Sequence, residues 1–307
     1  MKKRIQNRLA ESRFAFPVMI IYGIAVWLGA GTVAEGAYLQ LAFFVASTLM
    51  MMMLNNTNSL IRIYSRMVSC SFVAITCAAT FLFSSLESCA TGTCFILFYL
   101  SLLRSYQDKR APGIAFYSFA CLGIASLFFV QILYFVPFLW ILMASNMMAL
   151  THRMFWATVL GLVMPYWFAV GYYVVTDQFD AFIDHFAELA QFEPLLQYET
   201  LDIHRIATFG LVALLAVIGI IHYMRNSYLD KIRTRMIFEM FITVDILSFV
   251  FIILQPQHFD NLLPIIIVNS SCLFAHYVAL TRTWLTNVTF IVMCLATLGI
   301  TIFNLMP

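Results

Sequence analysis

Residues 176–205 read TDQFDAFIDHFAELAQFEPLLQYETLDIHR. They form the only long polar segment in a chain of 307 residues that is 63% hydrophobic and 10% charged. Soluble domains carry about 25% charged residues, so the remainder of this chain belongs in a membrane. The segment holds seven acids, Asp177, Asp180, Asp184, Glu188, Glu193, Glu199 and Asp202, against one base, Arg205. Phe179, Phe182, Ile183, Phe186, Leu189 and Ala190 recur at spacings of three and four, which puts them on one helical face. Asp177, Asp180, Asp184, Glu188 and Gln191 occupy another. Pro194 disfavours helix at Glu193, which sets the expected end. The pattern predicts an amphipathic helix on the membrane surface or across the mouth of a bundle. Being acidic, it is held by its phenylalanines or by packing rather than by anionic lipid. A solvated acidic face is the simpler reading; the sharper one has Asp177, Asp180 and Asp184 lining a catalytic site.

A membrane span needs about 20 apolar residues. Outward from the acidic stretch, spans are expected near 15–34, 36–54, 67–86, 93–106, 114–129, 131–150, 154–175, 206–224, 236–255, 262–280 and 284–305, eleven in all. The predicted fold class is therefore all-α, a polytopic membrane helix bundle. Residues 1–175 make a seven-span unit, 176–205 the acidic segment, and 206–307 a four-span unit. The run 114–150 has one polar interruption, Gln131, and fits a tight hairpin or a single tilted helix. The apolar run after MKKRIQNRLAESR is too long for a signal-peptide core and has no small-residue cleavage site, so it reads as an uncleaved first span.

Charge orients the bundle. If the N-terminus and alternate loops are cytoplasmic, 16 of the 17 bases lie inside and only Arg205 outside, while ten of the 15 acids lie outside. By the positive-inside rule this predicts a cytoplasmic N-terminus and a periplasmic acidic helix.

Within the spans, Glu239 and Asp245 carry the functional interest. An acid at the bilayer centre costs roughly 2.5–3.5 kcal/mol on insertion scales and turns toward the bundle or water. Asp245 lies ten residues beyond Arg235, about 15 Å deep at 1.5 Å per residue. The next span supplies Asn269, Ser270 and Ser271 at that depth and His276 level with Glu239. Contacts Asp245–Asn269 and Glu239–His276 are expected, serving as inter-helix glue or as a substrate or proton pathway. Glu239 also stands one turn from Arg235, a local ion pair.

Other features are weaker. Pro165 is expected to kink its span. Asn55–Ser59 reads as an interfacial loop or the lining of an inner vestibule. His185, His204 and His258 read as surface histidines beside carboxylates. Cys89 and Cys94 flank the second outer loop; free thiols are favoured, since their spacing does not dictate a bridge. The other five cysteines serve as small apolar residues. No Cys/His spacing suggests a metal site, and no P-loop, dinucleotide fingerprint, G-x-S-x-G or H-E-x-x-H occurs. No cofactor is indicated. The bases are spread along loops rather than gathered in a patch, which argues against nucleic acid.

LLRSYQDKR at 102–110, GIASLFFVQILYFVPFLWILM at 123–143, THRMFW at 151–156 and GLVMPYWFAVGYYVVTD at 161–177 resemble an uncharacterised multi-pass inner-membrane family of Gram-negative bacteria. That resemblance implies a location and no activity. The same region is loosely similar to the membrane cores of polyprenyl-phosphate-dependent glycosyltransferases, which pair helices across short basic turns and work on the outer face. Their acidic catalytic residue sits in a large first outer loop. Here that loop offers little beyond Glu35, so the resemblance would assign the acidic role to Asp177, Asp180 or Asp184. The expected partners are membrane lipid and either a lipid-linked sugar or a membrane protein. Three functions follow: handling of a lipid-linked envelope precursor, docking of a basic partner on the acidic segment, and transport through Asp245 and Glu239.

Overall fold

The computed structural model describes residues 4–191 and 201–306. Among them are thirteen α-helices and no strand. Seven helical stretches are long and apolar enough to cross a membrane: Tyr38–Asn58, Leu86–Ser105, His152–Val175, Ile203–Leu229, Ile232–Leu254, Pro256–Leu280 and Trp284–Leu305. Four more, Ala15–Gly29, Met67–Ala78, Pro112–Phe128 and Val130–Ser145, are apolar but only 10–17 residues long. The eleven expected segments are all helical, and these four fall short of spanning length.

The order is α1 (Ile5–Ala10), α2 (Ala15–Gly29), α3 (Tyr38–Asn58), α4 (Met67–Ala78), α5 (Leu86–Leu102), α6 (Pro112–Phe128), α7 (Val136–Ser145), α8 (His152–Val175), α9 (Phe179–Ala187), α10 (Ile203–Asn226), α11 (Ile232–Leu254), α12 (Phe259–Leu280) and α13 (Trp284–Leu305). At the centre stands α12, buried from Ile265 to Ala279 without interruption. Over that stretch its only residues other than apolar and aromatic ones are Asn269, Ser270, Ser271 and His276, as in a helix enclosed by others. Helices α4, α5, α10 and α11 surround it. Short α1 is pinned beneath it: the Gln6 amide donates to the Val278 carbonyl at 2.7 Å and the Asn7 amide to the Thr281 carbonyl at 2.8 Å.

The shortened helices have local causes. The backbone leaves helical geometry at Ala79 and resumes as a single tight turn, Thr80–Phe83. A helix end leaves carbonyls without partners, and here the Asn304 amide donates to the Ala78 carbonyl at 2.6 Å while Thr80 Oγ1 donates to the Asn304 carbonyl at 2.8 Å. Phe129 is extended, so 114–150 is two helices joined through the turn Val130–Phe135. The Gln107 amide N–H, ahead of α6, donates to the Met147 carbonyl, behind α7, at 2.9 Å, so the two run antiparallel. Pro165 lies inside α8, which continues through it. There α8 meets α6 backbone to backbone: a Cβ on Gly161 would collide with the Phe116 carbonyl, and one on Gly123 would stand 2.7 Å from the Leu162 carbonyl. Small residues allow this approach.

Cys89 and Cys94 do not flank a loop. Both lie on α5, which starts at Leu86 with Ser85 as its cap. Five helical positions turn them about 140° apart, so they cannot bridge. Asn55 and Asn58 belong to the last turn of α3 rather than to a loop. The Asn55 amide donates to the Ser65 carbonyl at 2.9 Å, and Asn58 Oδ1 accepts from Arg233 at 3.0 Å.

Contacts between loops sort the molecule into two ends. Arg62 meets Asp230, Arg233 meets Leu103, and α1 meets Thr281 at a basic end. At the other end Arg205 meets Asp260, Gln40 meets Ser84, and His185 meets Ser126. Apart from Arg205, this second end is acidic.

Candidate functional site

Ionisable and polar groups gather in three places along the bundle. The deepest is Asp245 on α11, wholly buried. Its carboxyl accepts from Ser270 Oγ at 3.1 and 3.3 Å. Asn269 stands on the same helix at the expected depth but faces another way: it accepts from the Tyr99 hydroxyl at 2.7 Å and donates to the Ile265 carbonyl at 3.0 Å. Tyr99 is edge-on to Phe95 and Phe241 at 4.9 Å. This polar layer therefore ties α5, α11 and α12 together, inside an aromatic shell. The expected direct contact Asp245–Asn269 is replaced by Asp245–Ser270, because one residue along a helix turns a side chain by about 100°.

Toward the basic end, the expected pair Glu239–His276 does not form. Glu239 accepts from the Asn146 amide at 3.0 Å. His276 Nε2 lies 3.0 Å from Asp230 Oδ2, with both side chains buried. Arg62 approaches the other oxygen of Asp230 at 3.7 Å and donates to the Leu229 carbonyl at 3.2 Å. Asn226 stands 3.1 Å from His222 Nδ1, and the His222 and His276 rings are 5.4 Å apart. The remaining nitrogens, His276 Nδ1 and His222 Nε2, are buried without partners. The tautomers follow from the bonded neighbours. Asp230 accepts from the Nε2–H of His276, and the Asn226 amide donates to His222 Nδ1, which leaves the ring proton of His222 on Nε2. Neither His276 Nδ1 nor His222 Nε2 bonds the other, so the two rings pack together without a hydrogen bond between them.

Sequence reasoning missed Asp230, His222 and Asn146. Asp230 looked like one acid among loop bases. The available signal was that it is flanked by Arg225, Lys231, Arg233 and Arg235, with nothing acidic beside it. Its histidine partner is 46 residues away, a separation no periodicity reveals.

At the acidic end, α9 runs from Phe179 to Ala187, followed by a tight turn, Glu188–Ala190. Gln191 is extended, and the expected end at Glu193, with Pro194 and Glu199, lies outside the described residues. Phe182 and Phe186 pack on Tyr166 of α8, at 6.4 and 4.9 Å between ring centroids. His185 is half-buried, its Nε2 3.0 Å from the Ser126 carbonyl, and the Tyr134 hydroxyl donates to the Leu189 carbonyl. Phe179 and Ile183 remain exposed. The seated side is thus Phe182, His185, Phe186 and Leu189, a narrower stripe than the apolar pattern suggested. Asp177, Asp180, Asp184 and Glu188 are all exposed. No three metal-ligating side chains meet among the described residues.

Beside this helix an apolar groove of about 310 Å³ opens between the Val130–Phe135 turn with α7 on one wall and α11 on the other. Phe135 and Phe138 face Leu247, Val250, Phe251 and Leu254, with Tyr134 and Gln255 also in the lining. His258 stands next to it, 5.8 Å from the Phe251 ring. Tyr134 thus lines the groove and ties down the end of the acidic helix.

A second opening at this end, about 430 Å³, brings Glu35 together with Asp202, His204, Arg205 and Asn304. Arg205 holds Asp260 through two bonds of 2.9 Å. His204 stacks on Phe303 at 4.4 Å and bonds Asn304 at 2.9 Å. Asp202 caps α10 through the Ile203 amide at 2.7 Å. Each of these four side chains already has a structural partner. No protein-family model, no curated protein and no solved structure matches the chain.

Proposed function

We propose that this protein crosses a bacterial inner membrane eleven times, with a cytoplasmic N-terminus, and handles a lipid-linked envelope precursor at the periplasmic face. The four short helices complete their crossings with the turns adjoining them and with local thinning of the bilayer, and the 16-to-1 division of bases supports the orientation. The observation that carries the function is the groove between α7 and α11. It is apolar along its walls, its polar lining residues are Tyr134 and Gln255, and Tyr134 ties it to the end of the acidic helix. An isoprenoid or acyl chain fits the walls, and its polar head would meet the carboxylates of α9, Asp180 and Asp184 foremost.

Mass spectrometry of the protein extracted gently from its own membrane tests this reading. A polyprenyl-linked sugar is expected on the wild type and lost from Val250→Trp, which fills the groove. A wild type that carries no such lipid overturns the proposal. A stoichiometric basic protein partner in its place would establish the second reading, docking on α9, which the full exposure of its acids favours. Transport through Asp245 and Glu239 is less well supported: each is held by a neighbouring helix in the manner of inter-helix glue.

A further inference from the structure

A second apolar slot, about 400 Å³, lies between α2 and α13. Its floor is α4 and α12, at Met67, Ile75 and Val278. These floor residues are buried by protein on every other side, so the slot is a recess in the bundle and not merely a lipid-facing surface. Phe290 to Leu298 along α13 gives it a depth of about 12 Å. Near its acidic-end limit, Tyr22 bonds Thr301 at 2.9 Å across the seam. At the basic end it is open beside Ser12 and Phe14.

That open mouth is cationic. Arg13 and Tyr64 line one shallow cleft there, together with Glu11. Arg66 Nε donates to the Tyr64 hydroxyl at 3.2 Å, and its guanidinium lies 5.6 Å over the Phe16 ring. Arg66 is half-buried and has no carboxylate partner among the described residues. Arg66 at the Tyr64 hydroxyl and Arg13, which lines the same cleft as Tyr64, are guanidinium donors of the kind that bind a phosphate. An apolar slot one chain deep begins within two residues of each arginine, at Phe14 and Met67.

We propose that this slot holds one acyl chain of an anionic phospholipid from the leaflet at the basic end, its phosphate between Arg13 and Arg66. The site is separate from the groove at α7 and α11 and does not depend on the function proposed for it. The chain completes the packing over Met67, Ile75 and Val278, and the headgroup gives Arg66, which has no carboxylate partner among the described residues, an anion to pair with.

The test is native mass spectrometry of the full chain in detergent with equimolar phosphatidylglycerol and phosphatidylcholine of identical chains. The wild type is expected to retain one phosphatidylglycerol over phosphatidylcholine by about tenfold or more, as two arginines near a membrane surface imply. Arg13→Gln with Arg66→Gln should erase that preference. Ala74→Phe or Leu298→Trp, which obstruct the slot at its wall and its lip, should abolish retention of either lipid. Using both guards against a misfolded variant, and each should elute as a single species. A wild type indifferent to headgroup, or folded slot-filling variants that still retain phosphatidylglycerol, would overturn the proposal. Neither slot variant should disturb a ligand bound beside Val250, so failure here is distinguishable from failure there.

Discussion

Two buried acids, Asp230 and Asp245, are stabilised in different ways. Asp245 has one hydroxyl, Ser270, turned toward it across a helix interface. Asp230 has a ring nitrogen at 3.0 Å and a guanidinium at 3.7 Å. Removing one partner of a buried pair costs more than the pair contributes, because the other group is left desolvated. His276→Ala should therefore lower stability by about 2–4 kcal/mol, read as thermal unfolding in detergent. Asp230→Asn added to it should recover part of the loss, since the orphaned charge is then gone. Additive losses would mean that the two side chains do not interact. Neither partner of Asp230 was legible in the chain: depth along a helix can be counted from residue numbers, but facing direction and loop closure cannot. Glu239 shows the same limit. Its depth suggested His276, and the helix rotation delivered it to Asn146 instead.

At the scale of the element, the apolar runs located eleven of the thirteen helices, while their ends were decided by bonds the runs do not encode. Helix α4 stops at Ala78 because Asn304, 226 residues away, takes its last carbonyl. Helix α9 stops at Ala187, where Tyr134 holds the following turn. The α6–α8 contact has a clearer sequence signature, glycine at 123 and at 161, although many membrane glycines pack against nothing. Gly161→Ile would drive a branched side chain into the Phe116 carbonyl and separate the two helices. Overpacking costs typically 1–3 kcal/mol, and here the obstacle is backbone, so a loss of about 3 kcal/mol or more is expected. The measurement is thermal unfolding, with hydrogen exchange expected to rise in α6 and α8. Exchange that stays at the wild-type level would show that the interface tolerates the added bulk.

For the whole molecule, the sorting of charge makes a topological prediction. In a background with the native cysteines replaced, Asp184→Cys should react with a membrane-impermeant maleimide added to intact spheroplasts. Lys109→Cys should react only after the membrane is opened. The ratio between the two conditions should differ by about tenfold or more if bases set orientation. Labelling of both from one side would remove the eleven-crossing arrangement and leave an odd number of the short helices buried without crossing. The same experiment reports on α9, whose exposed acids and exposed Phe179 and Ile183 describe a helix with one wet side and one apolar side left free by its seat on Tyr166.

By itself the sequence determined that this chain is helical throughout its apolar runs and that charge divides between two ends. These properties are additive along the chain: apolar length, apolar symmetry and the count of bases can be read without knowing what touches what. Only the tertiary structure decided which polar groups meet. It joined His276 to Asp230 and Asp245 to Ser270, left Asp177, Asp180 and Asp184 exposed, and opened two apolar recesses between different pairs of helices. Those outcomes depend on helix rotation and on which helices are neighbours, which arise from packing between segments far apart in the chain.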